Sequence, residues 1–143
     1  MKRKSTMAIG MVVFCFMMMA SGAAWSGNGT VTANGLVWLK NAGCLGAMNW
    51  DAAKARAATL ASGQCGLTDN SAAGVWRLPT IEELKAIYSS KGQFSGVQSY
   101  YYWSSSTYAL STAFAWGVGM GNGGVYGSSK NYGSYVWPVR SGQ

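Results

Sequence analysis

Side chains able to do acid–base or metal chemistry are few in this chain of 143 residues: four carboxylates (Asp51, Asp69, Glu82, Glu83), three cysteines and no histidine. Without histidine it lacks the commonest general base and a major metal ligand. Asp51 and Glu83 stand where helix starts favour acidic groups, and Glu82 reads as a solvated helix residue, so no carboxylate pair remains for hydrolysis. The hydroxyls of Ser104, Ser105 and Ser106 have no evident base to activate them. A calcium site would be poorly supplied with carboxylates. These residues point away from an enzyme, and no catalytic residue, metal ligand or cofactor is expected.

What remains is the chemistry of contact. Residues 117 to 135 read GVGMGNGGVYGSSKNYGSY, with Tyr126, Tyr132 and Tyr135 among glycine, serine and asparagine, and Lys130 as the single charge. Tyrosine supplies large, fairly rigid amphipathic contact area, serine and asparagine add adaptable hydrogen bonds, and glycine lets the backbone approach a ligand. The competing reading is plain: hairpin turns joined by strands whose aromatics pack the core. On the recognition reading the exposed positions are Phe114, Gly117, Gly119, Asn122, Gly124, Tyr126, Ser128, Asn131, Tyr132, Ser134 and Tyr135. Trp103, Trp116 and Trp137 belong to the scaffold.

The beginning of the chain reads as a targeting signal. Lys2, Arg3 and Lys4 precede an apolar run from Met7 to Ala20, and small residues follow, so a secretory signal peptide over 1–26 is expected, cleaved after Ala24 or Ser26. An uncleaved anchor is the alternative, but the run is shorter than a membrane span requires. Residues 27–143 then form one domain, exported to the periplasm, the medium or the cell surface, with no transmembrane span left. Eight scattered basic residues against four acids leave a net charge of +4 and no basic run to track a phosphate backbone, so nucleic acid is not an expected partner. Cys44 and Cys65 remain, and export favours a disulfide between them over a metal site. Closing so long a loop is worth roughly 3 kcal/mol in the chain-entropy picture.

The elements that must position these residues follow from punctuation and period. Leu36 to Leu39 reads as a strand between Asn-Gly and Asn41. A helix follows, with Asn49 as cap, Asp51 at its positive end, Gly63 as its stop, and Trp50, Ala53, Ala57 and Leu60 on one face. Trp76 and Leu78 flank Arg77 in an extended piece ended by Pro79. Thr80 and Glu83 stand at capping-box spacing ahead of a short second helix with Leu84, Ile87 and Tyr88 on one face. From Tyr100 onward, YYYWSSS, FAWGVGM, GGVYGSS and SYVWPVR predict a small antiparallel sheet, with Pro138 at a strand edge or end. The fold class is therefore α+β: two helices and a small antiparallel sheet with long Gly/Ser/Asn-rich loops.

The succession GLVWLKNAGC, MNWDAAKARAATLASGQCGL, WRLPTIEEL, YYWSSSTY, Ala115-Trp116 and a terminal YVWPVR resembles the Lcl C-terminal domain family across Gly35 to Arg140. The resemblance implies a C-type-lectin-like fold. It also extends to the variable proteins of diversity-generating retroelements, in which copying errors at template adenines rewrite a C-terminal segment. That would make residues 117–135 a variable surface framed by Ala115-Trp116 and VWPVR. The family takes its name from a secreted collagen-like adhesin that binds sulfated glycans, but this chain has no collagen repeat and lacks the paired acids of calcium-dependent lectins. The expectation is an exported module that binds a protein or glycan ligand at the cell surface. The alternatives are a structural or assembly subunit that meets another protein, and an adhesin for acidic glycans.

Overall fold

The computed structural model describes residues 27–142, so the signal peptide expected at 1–26 lies outside the described residues. Strand β1 (Thr30–Ala33) and strand β2 (Leu36–Leu39) form a hairpin closed by Asn34 and Gly35. Both turn residues have positive φ, 53° and 75°, which is the demand of a type I′ turn and the reason Asn-Gly suits it. A two-residue strand β3 (Ala47–Met48) leads into helix α1 (Trp50–Ala58). The Asn49 side chain accepts the Ala52 amide at 2.9 Å, as its position as cap predicts. The helix ends at Ala58 with Thr59 as its cap. Gly63, expected to stop it, instead turns the chain later at φ +95°.

Helix α2 (Ile81–Ile87) starts in a full capping box: Thr80 Oγ1 accepts the Glu83 amide, and the Glu83 carboxylate accepts the Thr80 amide at 2.8 Å. It tightens into a 3₁₀ turn over Tyr88–Gln93. Strands β4 (Tyr101–Thr107), β5 (Phe114–Gly119), β6 (Val125–Ser129), β7 (Ser134–Tyr135) and β8 (Val139–Ser141) complete the chain.

The α+β class and the antiparallel pairing hold, but the strands form two sheets rather than one. One has the order β1-β2-β8 and the other β3-β7-β4-β5-β6. The last segment, SYVWPVR, is divided between them: Pro138 has no amide to donate, so the ladder breaks there and β8 crosses to β2. One pair is parallel, Tyr102 with Tyr135, because β7 enters beside β4 from a return that also pairs it with β3.

The five-stranded sheet is covered on both faces. Tyr102, Val118 and Met120 face a core with Trp38, Trp76, Leu84, Ile87 and Trp137, while Trp103 and Ala115 pack with Trp50, Ala53, Ala57, Leu78 and Val136 beneath α1. Three buried indoles find backbone partners for their N–H groups, while that of Trp38 is buried without one. Trp50 donates to the Ser104 carbonyl, Trp103 to that of Met48 and Trp137 to that of Leu39, each within 3 Å. The disulfide joins Cys44 to Cys65, with Cα atoms 5.8 Å apart, and ties the loop before α1 to the loop after it.

Candidate recognition surface

Register decides which side chains share a surface. In the β5–β6 ladder Gly117 lies opposite Tyr126 and Ala115 opposite Ser128, and in the β4–β5 ladder Trp103 lies opposite Gly117 and Tyr101 opposite Gly119. Directly opposed residues point to the same side, so Tyr101, Trp103, Gly117, Gly119, Tyr126 and Ser128 share one face. Helix α1 packs on that face around Trp103 and Ala115. Toward β6 it is open, and Tyr126 is 50% exposed.

The glycines here have separate jobs. A Cβ on Gly117 would stand 2.5 Å from Cε1 of Tyr101 and closer still to the Tyr102 carbonyl, so glycine lets the Tyr101 ring lie flat on the sheet. Tyr101 then donates its hydroxyl to the Tyr126 carbonyl and meets the Trp103 ring edge-on at 5.8 Å. Burial pushes the Tyr101 phenol above its ordinary value, which keeps it a donor. Gly124 leaves room for the Tyr126 ring, whose Cε2 would lie 2.5 Å from a Cβ there. Asn122 shapes the tip of the hairpin: its Oδ1 accepts the Gly124 amide at 2.8 Å and its Nδ2 approaches the Tyr126 hydroxyl at 3.4 Å.

The eleven expected site residues therefore separate into groups. Phe114, Asn122, Tyr126, Asn131 and Tyr132 are exposed, Tyr132 the most at 68%. Gly119, Gly124 and Ser128 are half-buried, and Phe114, opposite Ser129, falls on the other face of the sheet from Tyr126 and Ser128. Gly117 and Ser134 are buried, against the exposure expected of them: Gly117 lies under Tyr101, and Ser134 sits in an inner strand paired with Met48. Tyr135 is half-buried, stacked on Tyr100 at 5.9 Å and tilted against Tyr102. Of the scaffold tryptophans, Trp103 and Trp137 are fully buried and Trp116 is half-buried against the Tyr108 ring.

Tyr101 went unassigned in the sequence reading. Its signal was the alternation within YYYW, which places Tyr101 with Trp103 and opposite to core Tyr102.

The single charge of residues 117–135 is drawn into the scaffold. Lys130 Nζ sits 4.0 Å from the centroid of the Trp50 ring and donates to Thr107 Oγ1 at 3.1 Å, while Lys54 approaches the same ring at 3.7 Å. The tyrosine surface is thereby left uncharged.

A second concentration of polar groups lies elsewhere, at a cleft of about 490 Å³ lined by Asp69, Asn70, Ser71, Ala72, Val75, Arg140 and Ser141. Arg140 Nη2 meets Asp69 Oδ2 at 3.1 Å, Ser71 donates its hydroxyl to Asp69 Oδ1 at 2.7 Å, and Trp76 donates its indole N–H to Ser71 Oγ. The Asp69 side chain is 1% exposed. Burial alone would raise its carboxyl, but the Ser71 hydroxyl and amide and the Arg140 guanidinium together outweigh burial and hold it below the usual value. Glu83 is also held low, chiefly by its hydrogen bonds from Arg77. Among the described residues, no three His, Cys, Asp or Glu side chains come together as a metal ligand set, and no helix is long and apolar enough to cross a membrane.

A comparison with curated proteins finds no match. The family described as Lcl C-terminal domain matches residues 29–140, which takes in both sheets, both helices and the tyrosine surface. The chain belongs to the Lcl C-terminal domain family.

Proposed function

We propose that this chain is an exported recognition module of C-type-lectin-like architecture, which binds a protein or glycan at the cell surface through Tyr126, Tyr132 and the polar residues around them. The observation that carries the reading is the exposed Tyr126 on the edge strand β6 together with the exposed Asn122, Asn131 and Tyr132 in the turns on either side of it. Such a surface offers rigid amphipathic anchors at low cost in side-chain entropy. Export is supported by the Cys44–Cys65 bond and by the basic and apolar start of the sequence.

The same positions suit a segment rewritten by a retroelement. Phe114, Ser128, Asn131 and Tyr132 hold no buried place in the scaffold, whereas Ser134 is buried and Gly117 leaves no room for a side chain under Tyr101. Deep sequencing of the DNA for Ser99 to Arg140 from a clonal culture separates the two forms of the reading. Substitutions confined to adenine-templated codons, beside a near-copy template and a reverse transcriptase gene, mark a diversified surface. A uniform sequence without a template marks a fixed one.

Binding itself is tested on arrays of surface glycans and surface proteins, comparing the native domain with a Tyr126→Ser/Tyr132→Ser variant. Loss of the array signal with an unchanged thermal melt is the expected result. A signal that survives the double substitution undiminished sinks the assignment of the site. The acidic-glycan reading rests on a different observation, the two lysines at Trp50. Binding that vanishes in moderate salt, and with Lys54→Gln/Lys130→Gln, would select it.

A further inference from the structure

We infer that the free edge of β6 is a self-association edge, on which a second copy of this chain adds its own β6 in antiparallel register centred on Gly127. The inference stands apart from any ligand of the tyrosine surface. The five-stranded sheet ends on one side in β3, which has two residues, and on the other in β6, which has five.

The hydrogen bonds at the two ends of the β5–β6 ladder fix which backbone groups of β6 are free. Gly119 donates to the Gly124 carbonyl and Lys130 donates to the Ala113 carbonyl. The register and the two-residue repeat then make Gly117–Tyr126 and Ala115–Ser128 the bonded pairs between them. Val125, Gly127 and Ser129 turn their amides and carbonyls to the outside; of these groups the Ser129 carbonyl already accepts the Tyr132 amide at 3.0 Å, and Val125 and Gly127 are exposed. Edge strands are ordinarily guarded by lysine, proline or a bulge. The sequence of β6, VYGSS, has no charge and no proline, and its register with β5 runs without a bulge.

Three features favour a second copy as the occupant. First, the outward groups are self-complementary: a two-fold centred on Gly127 sets Gly127 against Gly127 and Val125 against Ser129 as hydrogen-bonded pairs, with Tyr126 and Ser128 in the non-hydrogen-bonded pairs between them and the Ser129 carbonyl shared with the Tyr132 amide. Second, no like charges meet, because Tyr126 falls opposite Ser128 and Lys130 opposite Gly124, although the molecule as a whole is basic. Third, nothing within the chain demands glycine at the centre. Gly127 has no positive φ, and a Cβ there would touch only the Tyr108 ring, at an ordinary 3.7 Å. Apolar side chains gather at this edge too, since Val125 and Tyr126 on β6 and Phe114 beside Ser129 are among the exposed large hydrophobics. Joined in this way, two copies present both Tyr126 rings on one face of a continuous sheet, which makes binding to a multivalent surface bivalent.

The test is light scattering on the purified domain, residues 27–143 with its disulfide intact, from micromolar to millimolar concentration, alongside Val125→Lys and Gly127→Cys. The expected result is concentration-dependent dimerisation of the native domain and at least a tenfold weaker dimer for Val125→Lys with an unchanged melt. Gly127→Cys should form a covalent dimer on mild oxidation, since bonded antiparallel pairs bring Cα atoms to about 5.5 Å, while a control Gly133→Cys in the neighbouring turn should not. A native domain that stays monomeric at millimolar concentration overturns the inference, and so does a monomer that takes up an extended peptide along β6 instead. A dimer indifferent to Val125→Lys, with no selective cross-link through Gly127→Cys, places the contact elsewhere and also overturns it. None of these outcomes depends on the array signal that tests the proposed function.

Discussion

The cleft at Arg140 and the surface at Tyr126 are built from opposite materials. At the cleft, Arg140, Asp69, Ser71 and Trp76 form a chain of bonds around a carboxylate that solvent hardly reaches, although Arg140 Nε is buried without a partner. At the tyrosine surface the one charge of residues 117–135, Lys130, is held against Trp50. At the cleft, charge fastens one part of the chain to another, the loop at Asp69 to β8, while at the tyrosine surface Tyr126 and Tyr132 are left exposed.

The contrast is sharpest where the fastening is removed. Arg140→Ala leaves the Asp69 carboxylate buried without its cation and should cost about 3 kcal/mol, read by urea unfolding. Asp69 and Glu83 both have native carboxyls held low, so the stability they contribute is present in full above the ordinary carboxylate range near pH 4 and is lost as pH falls through their lowered native values. Urea midpoints measured from pH 7 downward should fall with that sign, and Arg140→Ala should flatten the fall; an identical slope in the variant would break the account. Gly117→Ala comes next, at about 2 kcal/mol of overpacking, seen as a lower melting temperature together with altered Tyr101 fluorescence or ring resonances. Smallest is Tyr132→Ser, which should leave stability within about 0.5 kcal/mol. A larger loss there would mean that the tyrosine surface is core after all and that the two regions differ less than their materials suggest.

What could be read from the sequence was local. Asn49 and the Thr80–Glu83 pair carry their reason within a few residues, and the structure has both caps. The Cys44–Cys65 bond was legible because only two cysteines stand after residue 26. Apart from Gly63, which was read as the stop of a helix that ends at Ala58, the misreadings involve distance along the chain. Nothing near Val139 says that it will pair with Trp38, so two sheets were read as one. Nothing near Asp69 announces Arg140, seventy-one residues on. Gly117 looked like its exposed neighbours because what excludes a side chain there is the ring of Tyr101, which only strand pairing brings overhead. Within the candidate site, composition found Tyr126 and Tyr132 but could not sort exposed positions from internal ones, since that depends on which strand is the edge.

The flanking of β2 by β1 and β8 has a mechanical meaning. Both neighbours run antiparallel to β2 and hence parallel to each other, so tension applied where the chain enters β1 and leaves β8 drags them in opposite directions along β2. The hydrogen bonds of that sheet are then loaded side by side rather than peeled one after another. A domain held at those two points should resist pulling more than one held at Thr30 and at the β5–β6 hairpin tip, a difference that single-molecule force measurements would read directly. For a protein anchored at one end and gripped at the other, that arrangement turns the smaller sheet into a clamp.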